Sequence, residues 1–411
     1  MTETALAAIA LLTIAWTVTS RPLADVDITG ALVFLLAGFV LANPAWGPID
    51  LDVESASVHR LAELTLAMLL FADASRVNLA RLRHDVRVPV RLLVIGLPLS
   101  IASGSVLAAW IFDDVSWALA LFIGATLACT DAALSAQVVN DERISGRVRS
   151  ILNVESGLND GIATPVVVFS LAVVAAEVGL GSHGGSPERG ALVELAIGLG
   201  VGVAVGVGTA ALVALGTSRR WVTMGGRRLA TIAAALGSFS AALVLDGNGF
   251  IAAFVAGAAF GAVLRRRVTE PDGLQEIVVL PELLGQLAGL AVWFLFGGAL
   301  LPVALEHFSL LNLLYALLSL TVVRMVPVAV ACLGTGLDRS TVLFVGWFGP
   351  RGLASVVFAL LAIEELGETP FVGETVAVIA LTVTLSVALH GITANPLGAR
   401  YRRAQDLTHQ G

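Results

Sequence analysis

Lysine is absent from this chain: all 24 basic residues are arginine. Charge of either sign is scarce, at 13% of the 411 residues, and cysteine is limited to Cys129 and Cys332. Both cysteines lie inside apolar stretches, which excludes a disulfide framework and leaves no metal-ligand spacing. No nucleotide-binding loop is visible, so neither a nucleotide-driven motor nor a cofactor is expected. Met1-Thr2-Glu3 lacks the basic n-region of a signal peptide, and the first apolar run is expected to be retained as a span. The net charge of -7 points to no nucleic-acid partner, because acids and bases are segregated along the chain.

What the chain has instead is apolar surface. It is 57% hydrophobic, with a mean hydropathy of +0.90. Apolar stretches of about 20 residues, the length that crosses a bilayer, recur from end to end. No polar linker separates them. The expectation is therefore one all-α polytopic membrane domain over residues 1–394, with a short cytoplasmic tail at 395–411 and no large regulatory domain beyond it. About thirteen spans are read, at roughly 4–19, 28–42, 58–73, 88–112, 116–139, 149–178, 190–216, 228–246, 248–264, 277–301, 308–333, 339–365 and 371–394. The turn at Asp246-Gly247-Asn248-Gly249 is the least marked of the divisions.

The loops between these spans alternate in charge. One set holds nineteen of the 24 arginines, in clusters such as Arg76, Arg81, Arg83 and Arg87, then Arg143, Arg147 and Arg149, and Arg265, Arg266 and Arg267. The other set holds only Arg60 and Arg189, together with acids including Asp50, Asp52, Glu54, Asp113, Asp114, Glu306, Glu364, Glu365 and Glu368. By the positive-inside rule the arginine-rich loops face the cytoplasm of a cell membrane, with the N-terminus outside and the C-terminus inside.

Two spans are interrupted. The fifth carries Gly124 and then Cys129-Thr130-Asp131; the twelfth carries Gly346 and then Gly349-Pro350-Arg351-Gly352. Irregular backbone at membrane depth is tolerated only where it is buried in protein or lines a cavity. Each interrupted span is the fifth in a set of six, and an odd seventh span between the sets inverts the second. The reading is an inverted repeat of six-helix units, residues 1–178 and 228–394, about a linker helix at 190–216, with two broken helices crossing at the midplane. Paired breaks of this kind point to a transporter's binding site. On the linker helix, Gly198, Gly202 and Gly206 recur every fourth residue, as close helix packing or a hinge would require.

A charge at mid-membrane costs about 2.5–3.5 kcal/mol even on insertion scales, so those present demand a reason. Asp131, Glu155, Asp160 and Arg351 sit deep; Asp73 and Arg324 lie nearer span ends. Asp131 either binds an ion or satisfies loose amides of the broken helix. At about 100° per residue, Asp160 shares a helix face with Ser156, and Glu155 shares one with Asn159. Asp160 is then about 140° round from Glu155, so the two carboxylates do different work. Arg351 can reach a carboxylate from the opposite broken helix, and a Glu155–Arg351 pair with an architectural role is expected. Arg324 is read as snorkelling to the interface, and Glu63, Glu177, Glu194 and Glu282 as reaching it. A desolvated carboxylate near a cation can hold either a proton or a small cation. If both compete for one site, the protein exchanges them.

Phe71-Ala72-Asp73-Ala74, Thr130-Asp131, Glu155-Ser156-Gly157-Leu158-Asn159-Asp160-Gly161 and Gly349-Pro350-Arg351-Gly352 together resemble the monovalent cation/proton antiporter superfamily, in its NhaP-like branch related to sodium/proton exchangers. The resemblance implies a secondary transporter rather than an enzyme, a homodimer, and an elevator-like movement. It implies that Asp160 carries the cation, Na+ first among candidates, in exchange for a proton, with a role in pH homeostasis. The Thr130 backbone, Asp131 and Ser156 would complete the ligands and Asp73 contribute, while Glu155 and Arg351 pair and Asn159 braces the site. The chain departs from the pattern at Ala132, where the family has proline, and at Asp73, where it often has glutamate. The Asn159-Asp160 dipeptide implies electroneutral one-for-one exchange. The alternatives are a K+/H+ antiporter, an organic-anion symporter on a related fold, a channel, and an intramembrane aspartyl protease built on Asp131 and Asp160.

Overall fold

Short polar side chains mark where many helices begin. Thr2, Thr29, Ser116, Thr223, Asn248, Ser309 and Asp338 each accept a hydrogen bond from an amide of the following first turn. Such caps each contribute on the order of 1 kcal/mol by satisfying amides that the helix itself cannot. The structure, a computed structural model, describes residues 2–51, 55–77, 86–113, 115–131, 133–139, 141–180, 187–267, 273–367, 369 and 371–409. Arg81, Arg83, Asp52, Glu54, Asp114, Glu368 and Ala132 lie outside the described residues.

Along the chain the helices are α1 (Glu3–Asp25), α2 (Gly30–Leu41), α3 (Ala56–Arg76), α4 (Arg87–Arg91), α5 (Leu97–Ile111), α6 (Trp117–Thr126), α7 (Ala136–Val139), α8 (Gly146–Glu177) and α9 (Pro187–Ser218). They continue with α10 (Met224–Val244), α11 (Gly249–Arg265), α12 (Gly273–Leu295), α13 (Leu301–Glu306), α14 (Leu310–Leu320), α15 (Val322–Ala331), α16 (Arg339–Trp347), α17 (Leu353–Leu366) and α18 (Val372–His409). Wide π turns join α4 to α5 at Leu92–Gly96 and α12 to α13 at Phe296–Leu300. Each lies just before a proline, Pro98 or Pro302. A proline ring has no N–H and presses on the carbonyl four residues back, and the wider turn gives the ring room.

Among the described residues the regular structure is helical, with no strand. Among the described residues, eight helical stretches are long and apolar enough to cross a membrane, and α2, α6 and α11 are shorter apolar helices. The exposed residues are often large and apolar, as with Leu11, Ile14 and Val18 on α1 and Leu212 on α9. Apolar surface left outward on this scale suits a lipid environment, and the chain is a multi-pass membrane protein. The division at Asp246 is a real helix end: Asp246 takes a left-handed conformation (φ 55°), and Asn248 caps α11.

The chain forms two compact units. One comprises Met1–His59, His84–Asn159 and Leu290–Gly411; the other comprises Arg60–Arg83 and Asp160–Gly289. In the latter, α9 lies against α11. Cβ atoms on Gly198, Gly202 and Gly206 would come within 2.7, 2.7 and 2.4 Å of α11-side carbonyl oxygens of Asn248, Ala252 and Ala256. The glycine stripe is thus a packing surface, the first of its two readings. Glu282 pairs with Arg76 through both carboxylate oxygens, and Arg265 Nη1 donates to the Ser75 carbonyl at 2.8 Å. In the former unit, α18 packs against α13, α14 and α17. Its far end is held by Tyr401, whose ring stacks on Phe344 at 4.3 Å and whose hydroxyl lies 3.0 Å from that of Thr341.

Candidate functional site

The apolar run of the fifth predicted span continues past Thr126, yet α6 ends there; helical geometry resumes only at Ala136. In the twelfth, α16 ends at Trp347, and Phe348–Gly352 runs non-helical to the start of α17. The first break falls at the polar run Cys129-Thr130-Asp131, and the second at Gly349-Pro350-Arg351-Gly352. Backbone groups freed this way need partners, and the two broken segments supply them to each other. The Asp131 amide donates to the Pro350 carbonyl at 2.8 Å. The Ser355 hydroxyl donates to the Thr126 carbonyl at 2.7 Å.

Asp131 is the joint between them. One carboxylate oxygen accepts from the Ala133 amide at 2.8 Å, and the other from the Leu353 amide at 3.1 Å. The second bond places a negative charge at the N-terminus of α17, where the helix dipole favours it. Asp131 thus caps amides on both sides of the crossing, at Ala133 and at Leu353. Gly352 makes the approach possible, since a Cβ there would lie 2.1 Å from the Asp131 Cβ.

Arg351 is fully buried. Its guanidinium donates to the carbonyls of Ala128 at 3.1 Å and Ser319 at 3.3 Å. These carbonyls lie at the C-terminal ends of α6 and α14, where partial negative charge accumulates. Cation and anion thus sit at helix ends of opposite polarity.

The expected Glu155–Arg351 pair is not formed, because Glu155 has another partner. Arg324 donates to Glu155 through Nη1 at 2.6 Å and Nη2 at 2.8 Å, a bidentate bridge with both side chains buried. Arg351 is committed to carbonyls, whereas the Arg324 guanidinium presents its planar fork to the carboxylate. The expectation that Arg324 snorkels is corrected by the same observation: only 4% of it is exposed. Close packing fixes its position, since a Cβ on Gly349 would meet its Nε at 2.5 Å.

One turn along α8 the pattern continues. Asn159 donates from Nδ2 to the Ala128 carbonyl and the Thr130 hydroxyl, both at 3.1 Å, and lies 3.4 Å from Glu155 Oε1. Ser156 donates to the Thr130 carbonyl at 2.8 Å. With three acceptors around Nδ2, Asn159 Oδ1 is left buried and accepts no hydrogen bond among the described residues. Thr130, Glu155, Ser156 and Asn159 therefore form one network with Arg324, around the first break.

Asp73, half-buried on α3, and Asp160, half-buried on α8, belong to the other unit. Asp160 directly follows Asn159 on the same helix, and its carbonyl accepts from the Thr164 hydroxyl at 2.6 Å. Ser355, Ser386 and His390 belong to none of the sequence motifs, although Ser386 and His390, polar and four residues apart in an apolar span, are a readable signal.

Two helices broken within apolar spans, meeting around buried charges, define a secondary-transporter architecture. The chain belongs to the sodium/hydrogen exchanger family, matching that family's transmembrane model over residues 7–400. It is similar to the K(+)/H(+) antiporter NhaP2 of Shewanella sp. (strain ANA-3), with 29% identity over 144 residues, 35% of this chain and 25% of that protein. The K(+)/H(+) antiporter NhaP of Alkalimonas amylolytica is 24% identical over 80% of this chain and 55% of its own length. The Na(+)/H(+) antiporter ApNhaP of Aphanothece halophytica is 26% identical over 92% of this chain and 71% of its own. The chain thus spans about a quarter of the length of the first of these relatives. Among solved structures, the sodium proton antiporter MjNhaP1 from Methanocaldococcus jannaschii has the same fold, with a TM-score of 0.76 at 20% identity, covering 97% of this chain and 99% of that one.

Proposed function

We propose that this chain exchanges a monovalent cation, Na+ in the first reading, for a proton across a cell membrane. Family membership supports the reaction class. The observation that carries the mechanism is the buried network of Thr130, Ser156 and Asn159 at the first break, immediately before Asp160 on α8. Here Asp160 is the carrier, holding a proton or a cation in turn. The Thr130 carbonyl, the Ser156 hydroxyl and Asp73 supply further oxygens. Asp131 acts mainly as a fixed charge at α17, Asn159 braces the break, and Glu155 is a structural anion held by Arg324.

The second reading is K+/H+ exchange, favoured by the names of the NhaP2 and NhaP relatives. Thirteen crossings, an inverted repeat about residues 190–216, a homodimer, and an outside N-terminus with a cytoplasmic C-terminus complete the proposal. The arginine asymmetry of the loops supports the orientation. The test is exchange in proteoliposomes, following internal pH while Li+, Na+ and K+ are added in turn. Proton movement with at least one of them, absent in Asp160→Asn at unchanged melting temperature, is expected. Near wild-type exchange by Asp160→Asn would remove Asp160 from the mechanism.

A further inference from the structure

The second helix break is gripped from outside by two side chains of α18. Ser386 and His390, one turn apart, are buried, 0% and 3% exposed. The Arg351 amide donates to Ser386 Oγ at 2.7 Å. His390 Nε2 lies 2.8 Å from the carbonyl oxygen of Trp347, the last residue of α16. The two residues therefore contact both ends of the non-helical segment, Trp347 on one side and Arg351 on the other.

Each ring nitrogen of His390 lies 2.8 Å from a backbone carbonyl oxygen, Nδ1 from that of Ser386 and Nε2 from that of Trp347. A neutral imidazole has one N–H and one acceptor nitrogen. A hydrogen on Nδ1 would donate to the Ser386 carbonyl within α18, and a hydrogen on Nε2 would donate to the Trp347 carbonyl at the end of α16. With the hydrogen on Nε2, Nδ1 is free to accept from the Ser386 hydroxyl at 3.2 Å. In the Nε2–H tautomer a directional chain runs from the Arg351 N–H to Ser386 Oγ, from the Ser386 O–H to His390 Nδ1, and from His390 Nε2–H to the Trp347 carbonyl. The ring is also held in plane, because it stacks on the Trp347 indole at 5.1 Å and the indole N–H donates to Thr393 Oγ1 at 2.9 Å.

We propose that Ser386 and His390 staple the second helix break and are positioning residues for ion exchange. They touch no ion. They hold the backbone that carries the Arg351 guanidinium and leads into the α17 amide capped by Asp131. The proposal deepens the antiport reading and rests on it for its transport arm.

The experiment compares wild type with His390→Leu, Ser386→Ala and His390→Gln, the last keeping a donor and an acceptor at the end of the side chain. Amide hydrogen exchange of the 348–353 segment is measured in detergent alongside melting temperature, and cation-dependent proton exchange in proteoliposomes. In His390→Leu and Ser386→Ala the segment is expected to lose protection, and the apparent KM for the cation to rise about tenfold, the effect of losing roughly one to two hydrogen bonds. His390→Gln is expected to restore both. Protection of 348–353 equal to wild type in His390→Leu would overturn the staple. Lost protection with an unchanged KM and a maximal rate lowered only in step with folded protein would overturn the positioning role. A wild-type protein that exchanges no alkali cation would count against the antiport reading, while the hydrogen-exchange arm would still decide the staple.

Discussion

Glu155 and Arg324, 169 residues apart in sequence, meet in a buried bidentate ion pair of 2.6 and 2.8 Å. Removing one member leaves a charge stranded in the protein interior, at a cost of about 3–5 kcal/mol. Arg324→Ala should therefore lower the melting temperature in detergent sharply. The double variant Glu155→Gln/Arg324→Met should melt closer to wild type than Arg324→Ala does. A double variant as damaged as the sum of its singles would show that the two residues are not coupled.

Asp131→Asn keeps an acceptor oxygen but removes the charge at the N-terminus of α17, whereas Asp131→Ala removes the acceptors as well. The alanine variant should melt lower than the asparagine variant by the equivalent of a lost cap, about 1 kcal/mol. Both should slow cation exchange. Melting curves for the two variants that coincide would mean that the bonds to Ala133 and Leu353 contribute nothing to stability.

If proton and cation compete for Asp160, low pH should suppress exchange because protons occupy the carboxylate. Raising the cation concentration should then move the acidic limb of the rate profile towards lower pH. High pH should also suppress exchange, as the proton supply fails. The measurement is initial exchange rate against pH at several cation concentrations, and an acidic limb that stays put would point to a separate proton sensor.

Exchange should be electroneutral. Asn159 does not titrate, Glu155 is held by Arg324, and both oxygens of Asp131 accept backbone amides, so with Asp73 keeping one charge state through the cycle Asp160 is the carboxylate that trades its proton for the cation. An imposed potassium–valinomycin potential should leave the initial sodium-driven proton flux unchanged, with a potassium-transport control alongside. A flux that follows the sign of the potential would show net charge movement.

Asp338 caps α16 from the loop before it. Burial pushes its carboxyl upward, but the hydroxyls of Ser340 and Thr341, the Thr341 amide and Gln405 pull it down further, to about 2 from 3.8. A carboxyl depressed by folding stabilises the protein fully above its unfolded value and loses that contribution as pH falls through the folded one. Wild-type melting temperature should therefore decline as pH falls from about 4 towards 2, and Asp338→Asn should show a flatter decline over that window. Parallel declines would mean the cap carries no proton linkage.

The sequence by itself determined where the membrane helices run and where two of them break. Both are local properties: apolar length decides a span, and Gly349-Pro350-Arg351-Gly352 or Cys129-Thr130-Asp131 cannot continue an apolar helix without leaving backbone groups open. Periodicity along α8 put Ser156 on the face of Asp160 and Asn159 on that of Glu155, while only the resemblance of the chain's motifs grouped them with Thr130. Partner choice was decided only by the tertiary structure. Two buried arginines, Arg324 and Arg351, lie in different spans, and a long flexible side chain in either could reach Glu155. Packing against Gly349 brought the Arg324 fork to the carboxylate, while Arg351 was taken up by the carbonyls of Ala128 and Ser319. Nor could periodicity show that Asp131 would cap a helix starting at Leu353, or that Ser386 and His390 would hold the second break. Those bonds join residues 35 to 222 positions apart, and such pairings exist only once the helices have packed.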